Sequence, residues 1–183
     1  MQEVEVKYLV RDEPALLAAL ADQGIALSEP VRQDDQAYAP SSWRYGMSKR
    51  GVPFARLRTQ AGRHVFTVKR PMNNELACLE HETVVADRGQ MHDALLSIGF
   101  TPTVRITKTR RVGAWGAVTI CVDVVDGLGT FLELETMARE DEAGATTQER
   151  LHKQVMALGV AVERVTQTYD SLLRAAKAPE PSV

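Results

Sequence analysis

Aromatic side chains make up only 5% of the 183 residues, and there are just two cysteines, Cys78 and Cys121. Two thiols so far apart form neither a disulfide framework nor a zinc-ligand spacing, which suits a reduced, cytoplasmic setting. No stretch approaches the roughly 20 apolar residues that cross a bilayer. The chain opens on alternating acidic and β-branched residues and not on a leader. Neither sign of charge is in excess. Lys plus Arg is 22 and Asp plus Glu is 24, a formal net charge of −2, whereas a nucleic-acid binder normally shows a basic surplus. A glycine-rich phosphate loop is also missing, so any phosphate must be met by side chains and not by a helix N-terminus. What remains, 44% apolar and 25% charged, is the composition of a folded chain of one domain's length. The reading predicts a single domain over 1–177 and a flexible tail over 178–183.

Glu3-Val4-Glu5-Val6-Lys7 alternates with the period of a strand. Similar patterns predict strands at 31–38, 54–60, 64–70, 77–85, 103–112, 117–123 and 130–137. Helical periodicity predicts helices near 13–23, 88–98, 147–158 and 169–176, the first three stopped by Gly24, Gly99 and Gly159. Between strands, 39–53 carries two prolines and two glycines beside Trp43, Tyr45 and Lys49. A loop this long tends to be a lid. The sum is an α+β pattern in which an antiparallel sheet dominates.

Charged residues share one parity on strand after strand. Glu3, Glu5 and Lys7 align, as do Arg56 with Arg58, Glu80 with Glu82, Lys108 with Arg110, and Glu133 with Glu135. Lys69 and Asp123 fall on the same parity of their own strands. Any sheet with one wet face alternates, but a solvent face mixes in neutral polar residues, and these positions are nearly all ionised. The opposite parity, Val4, Val6, Leu57, Val68, Leu79, Val122, Leu132 and Leu134, is the surface that helices need. Eight curved antiparallel strands can close into a barrel. With helices packed outside, its tunnel would hold both signs of charge. Both signs suit a polyanion chelated to a divalent metal: Arg grips phosphate oxygens bidentately, and carboxylates hold Mg²⁺ or Mn²⁺.

In chain order, these residues resemble the CYTH proteins, the triphosphate tunnel metalloenzymes. The match runs from the ExExK strand Glu3–Lys7 through Arg56-Leu57-Arg58, Lys69, Glu80-His81-Glu82, Lys108-Thr109-Arg110 and Asp123 to Glu133-Leu134-Glu135. The run Asp123–Glu133 and the late Thr168-Tyr169-Asp170-Ser171-Leu172-Leu173 look like the class IV adenylate cyclase branch, while 39–53 departs from the family pattern. The resemblance implies an eight-stranded tunnel and a nucleoside triphosphate or other triphosphate substrate. It implies a triphosphate grip of Lys7, Arg56, Arg58, Lys69, Lys108 and Arg110. It also implies Mg²⁺ or Mn²⁺ on Glu3, Glu5, Glu80, Glu82, Asp123, Glu133 and Glu135.

In a cyclase, the ribose hydroxyl would attack the α-phosphorus and pyrophosphate would leave. In a triphosphatase acting on thiamine triphosphate, inorganic triphosphate or nucleotides, water would attack. Tyr38 with Lys69 resembles the Tyr–Lys pair of some tunnel triphosphatases, with Lys69 giving up its proton among neighbouring cations. Lys69 as one more phosphate clamp is the simpler alternative. A non-catalytic polyphosphate sensor is the third reading. No nucleic-acid or membrane partner is expected, and a homodimer stays open.

Overall fold

A computed structural model of the chain describes residues 2–72, 74–138 and 143–177. The predicted tail at 178–183 lies outside the described residues. The elements run β1 (Gln2–Val10), α1 (Glu13–Asp22), β2 (Val31–Pro40), β3 (Phe54–Gln60), β4 (Arg63–Pro71), β5 (Ala77–Val85), α2 (Arg88–Ser97), β6 (Phe100–Trp115), β7 (Val118–Val125), β8 (Gly129–Met137), α3 (Gly144–Ala157), β9 (Val162–Val165) and α4 (Tyr169–Lys177).

The strands pair antiparallel in the order β5-β4-β3-β2-β6-β7-β8-β1, and β1 returns to β5 through Glu3↔Cys78 and Val4↔Ala77 to close the barrel. The eight-stranded barrel with helices outside is therefore the fold. A ninth strand was not legible in the sequence: β9 pairs with β1 at Lys7–Val10, the stretch of that edge that β5 does not reach. Four residues are too few for an alternation to register.

On β1, β3, β7 and β8 an apolar parity faces outward, under helices. α1 brings Leu16 and Leu20, and α3 brings Leu151 and Val155, onto Val6, Tyr8, Ile120, Leu132 and Leu134. α4 differs: it seats Tyr169 and Leu173 on Ile106, Val125 and Phe131, which share the inward parity of Lys108, Asp123 and Glu133. α2 packs Leu95 against Tyr38, Ala55 and Leu57. Each fully buried leucine here contributes about 1.5–3 kcal/mol. Caps set the helix starts: Asp12 accepts from Ala15 N at 2.9 Å and Asp87 from Gln90 N at 3.0 Å. The β3–β4 hairpin turns on Ala61 and Gly62, both at positive φ (45° and 74°), as a two-residue turn matched to strand twist requires.

One glycine is fixed by close approach. A Cβ at Gly113 of β6 would lie 2.9 Å from Ala26 O and 3.0 Å from Leu27 Cδ2, because the chain following α1 crosses there. The obstacle is partly backbone, so it cannot rotate away. Gly113→Ala is expected to lower stability by about 1–3 kcal/mol, read as an earlier urea midpoint with an unchanged slope.

Candidate active site in the barrel lumen

The charged parity lines one cavity of about 290 Å³ whose wall includes Glu3, Glu5, Lys7, Arg56, Arg58, Lys69, Glu80, Glu82, Lys108, Arg110, Glu133 and Glu135. The two signs are partly separated. β1 and β8 supply Glu3, Glu5, Glu133 and Glu135, while β3 and β6 supply Arg56, Arg58, Lys108 and Arg110. In the ring of strands, β2 stands halfway round from β1, so an acidic wall faces a basic one.

On the acidic wall, carboxylate oxygens of Glu5, Glu133 and Glu135 all lie within 4.8 Å of one another. Cross-strand pairing brings them together: Glu5 is opposite Glu135, and Lys7 opposite Glu133. Lys7 bonds both sides, at 3.3 Å to Glu5 and 3.2 Å to Glu133. Glu133 is 3% exposed and also meets Arg110. Burial pushes its pKa up, but Lys7, Arg110 and Lys108 outweigh burial and hold it well below the usual carboxylate range. Glu135 differs. Burial, with Glu133 and Glu5 close by, outweighs Arg110 and pushes it up to about 7. Three convergent carboxylates, one of them short of positive partners, are a hard-oxygen donor set that fits a divalent cation.

The remaining predicted acids lie elsewhere. Glu3 and Glu80 flank Lys69, at 2.9 and 2.6 Å from its Nζ. Glu82 sits at the rim, accepting from Thr67 Oγ1 at 3.0 Å and from Arg56 at 3.4 Å. Asp123, with no exposed surface, accepts from Lys108 at 2.7 Å, from Arg110 twice at 2.6 Å and from the Tyr169 hydroxyl at 3.0 Å.

On the basic wall, burial first, then Arg110 and Arg58, lower Lys108 to about 8 in spite of Asp123 and Glu133. Lys69 behaves oppositely. Burial alone would lower it, but Glu3, Glu5 and Glu80 raise it above the usual lysine value. The expectation that Lys69 sheds its proton to act as a base is thus corrected, because three acids outweigh the neighbouring arginine. The Tyr38–Lys69 pair does not form either. Tyr38 has the outward parity of β2, and its hydroxyl shares a 2.8 Å hydrogen bond with His92 Nδ1 of α2.

Sequence reasoning gave no role to Asp35, which pairs with Arg58, and read Tyr169 only as part of the run 168–173, whereas its ring lies under Lys7 and Lys108 at 4.2 and 4.9 Å. It also missed the hub at one mouth. There Lys49 bonds Glu75 (3.0 Å), Thr168 (2.9 Å), Asp170 (3.3 Å) and Ser171 (2.8 Å). The predicted lid is irregular from 41 to 53 and is pinned by Trp43, which packs between Tyr45 and Phe54 and also lines the cavity.

The acid site carries a pH signature. Glu135 titrates near 7 when folded and near the ordinary 4.5 when unfolded. A raised carboxylate pKa means the folded state holds the proton more tightly. Its contribution to stability is full below about pH 4.5 and is lost as pH rises through 7. Glu133, Glu80 and Asp35 are shifted downward, so they act below this window. With a chelator present, Tm is expected to fall from pH 5 to pH 7, with Glu3, also raised, acting in the same direction and Lys108, lowered to about 8, acting in the opposite direction above this range. Glu135→Gln should flatten that slope, and a slope unchanged in the variant would assign it to other groups.

The CYTH domain model matches residues 1–169. The chain belongs to the CYTH family. It is 23% identical over 167 residues to the putative adenylate cyclase MJ0240 of Methanocaldococcus jannaschii, covering 90% of this chain and 94% of that one. The PH1819 protein of Pyrococcus horikoshii superposes with a TM-score of 0.80 at 24% identity, over 96% of this chain and 99% of its own. HpAC1 of Hippeastrum is described as a putative adenylyl cyclase with a dominant triphosphatase activity. It superposes with a TM-score of 0.66 at 16% identity, over 98% of both chains. These structural likenesses establish a shared CYTH fold. No helix among the described residues is long and apolar enough to cross a membrane.

Proposed function

We propose that this CYTH protein is a metal-dependent enzyme acting on a triphosphate held in its lumen, most like a class IV adenylate cyclase converting ATP to cyclic AMP and pyrophosphate. The observation that carries the reading is the enclosed acidic wall facing a basic one. A neutral ligand needs neither, and a bare polyanion needs only the second.

Lys7, Arg56, Arg58, Lys69, Lys108 and Arg110 would hold phosphoryl oxygens. The guanidinium groups suit bidentate contact and the ammonium groups act as point charges. Lys108 titrates about 8 without ligand, so an arriving polyanion fixes its proton and strengthens the grip. Glu5, Glu133 and Glu135 would hold the divalent ion, Mg²⁺ or Mn²⁺, which supplies Lewis-acid polarisation of a phosphoryl oxygen when bound. Glu3, Glu80, Glu82 and Asp123 complete the acid set through the cations they orient. With Lys69 kept protonated and Tyr38 turned outward, the chain's main work is positioning and neutralising charge, in keeping with phosphoryl transfer.

Hydrolysis of a triphosphate is the second reading, favoured by the likeness to HpAC1. ATP, thiamine triphosphate and inorganic triphosphate, each with Mg²⁺ or Mn²⁺, separate the readings once cyclic AMP is resolved from orthophosphate. Cyclic AMP with pyrophosphate supports the cyclase, and orthophosphate release supports the hydrolase. Tight binding without turnover of any of the three overturns both.

A further inference from the structure

Asp35 is an acid on the basic wall. It stands on β2, halfway round the barrel from β1, and it is not among the three convergent carboxylates. It is 3% exposed and lies directly opposite Arg58 in the β2–β3 register. Its Oδ1 accepts from Arg58 Nε at 2.8 Å and its Oδ2 from Arg58 Nη2 at 2.7 Å. This side-on pairing spends one edge of the guanidinium. Among the described residues Arg58 makes no hydrogen bond through Nη1, and Arg58 lines the cavity.

We infer that Asp35 is a positioning residue that clamps the Arg58 guanidinium in one plane, so that its free Nη1 edge is presented to the phosphoryl oxygens of a triphosphate. The inference rests on the triphosphate reading above. Two physical points carry it. Burial, and then the field of Arg110, disfavour the Arg58 charge, and Asp35, which both bonds it and faces it, is the main group that offsets them, ahead of Asp123. An arginine side chain also has a large rotamer entropy to lose on binding. Fixing it beforehand moves that cost from binding to folding, which tightens the ligand's grip. The carboxylate itself repels phosphate, so its net effect on affinity is favourable only if it acts through Arg58.

The test is a double-mutant cycle on inorganic tripolyphosphate binding, read by calorimetry with a chelator present and with thermal melts in parallel. Asp35→Asn keeps the shape but loses the charge and one acceptor. It is expected to weaken tripolyphosphate binding by roughly tenfold, the scale of one charge-assisted contact. In an Arg58→Ala background the same change should produce no further weakening, since the group it positions is gone. Asp35→Glu serves if the asparagine variant does not fold. It keeps the charge on a longer arm, displaces the guanidinium and should still bind severalfold more weakly than wild type.

Either variant binding as tightly as wild type while folded overturns the inference, even if its Tm has dropped. Equal losses in the Arg58 and Arg58→Ala backgrounds also overturn it. Wild-type protein that takes up no tripolyphosphate either in chelator or with excess Mg²⁺ overturns the triphosphate reading, and the inference with it. Wild type that binds while Asp35→Asn binds equally well removes the inference alone.

Discussion

Glu133→Gln is expected to lower metal-dependent turnover at least ~100-fold, the upper end of what losing a mere supporting partner of a metal site costs, and to abolish stabilisation by added metal. Glu133 is both a convergent carboxylate and the buried counter-ion of Lys7 and Arg110. Glutamine keeps the volume and one acceptor oxygen, so packing is retained while the charge is lost. Lys7 is left with Glu5 at 3.3 Å as its ion-pair partner. Its raised pKa depends on both glutamates overcoming burial. Breaking such a buried pair costs about 3 kcal/mol, the lower end of the usual range. A cation at 100 times its dissociation constant stabilises the wild type by about 2.7 kcal/mol. Urea melts with chelator and with excess Mg²⁺ therefore give two readouts. The variant should be less stable in the first and gain almost nothing in the second. A variant that is destabilised yet still gains fully from Mg²⁺ would make Glu133 a structural counter-ion and no ligand.

The barrel was legible in the sequence for a reason that Glu133 illustrates. Period-two charge on Glu3-Glu5-Lys7, Lys108-Arg110 and Glu133-Glu135 fixes which face is inside, and every one of these residues lines the lumen. Strand parity is local, so it survives translation into three dimensions. Which charges meet is not local. It depends on register: Lys7 opposite Glu133, Arg110 opposite Asp123, Lys69 opposite Glu80. The expected proton loss from Lys69 failed on this point. Its cationic neighbours in sequence pattern were visible, but Glu3 reaches it only because β1 closes the barrel onto β5. Tyr38 failed more simply: it pairs with Ala55 on the outward parity of β2, packs with Leu95 of α2, and its hydroxyl is taken by His92. Lys49 and its partners come from a loop, a turn and a helix start, segments in which no periodicity points at a common centre.

Asp123→Asn separates the two roles a lumen carboxylate can have. The resemblance to tunnel enzymes places Asp123 among the metal ligands, yet in this structure both its oxygens are already engaged. Arg110 Nε donates to Oδ1, while Lys108 Nζ, Arg110 Nη2 and the Tyr169 hydroxyl donate to Oδ2. A carboxylate this saturated by donors works as the anchor of the basic wall. Amide replacement leaves Lys108, buried in the lumen, without its ion-pair partner, while Arg110 keeps Glu133 and Glu135, so stability should fall by about 3 kcal/mol, the lower end for a broken buried pair. Lys108 is already lowered to about 8 by burial and its cationic neighbours. It should drop further and be largely neutral at pH 8, which weakens tripolyphosphate binding most at alkaline pH. If Asp123 is an anchor, Mg²⁺ affinity measured on the folded variant falls far less than in Glu133→Gln, with any residual change passing through Arg110, the partner that Asp123 shares with Glu133 and Glu135. A loss of Mg²⁺ affinity as large as that of Glu133→Gln, with tripolyphosphate binding intact in chelator, would instead make Asp123 a ligand whose three donors must rearrange when metal binds.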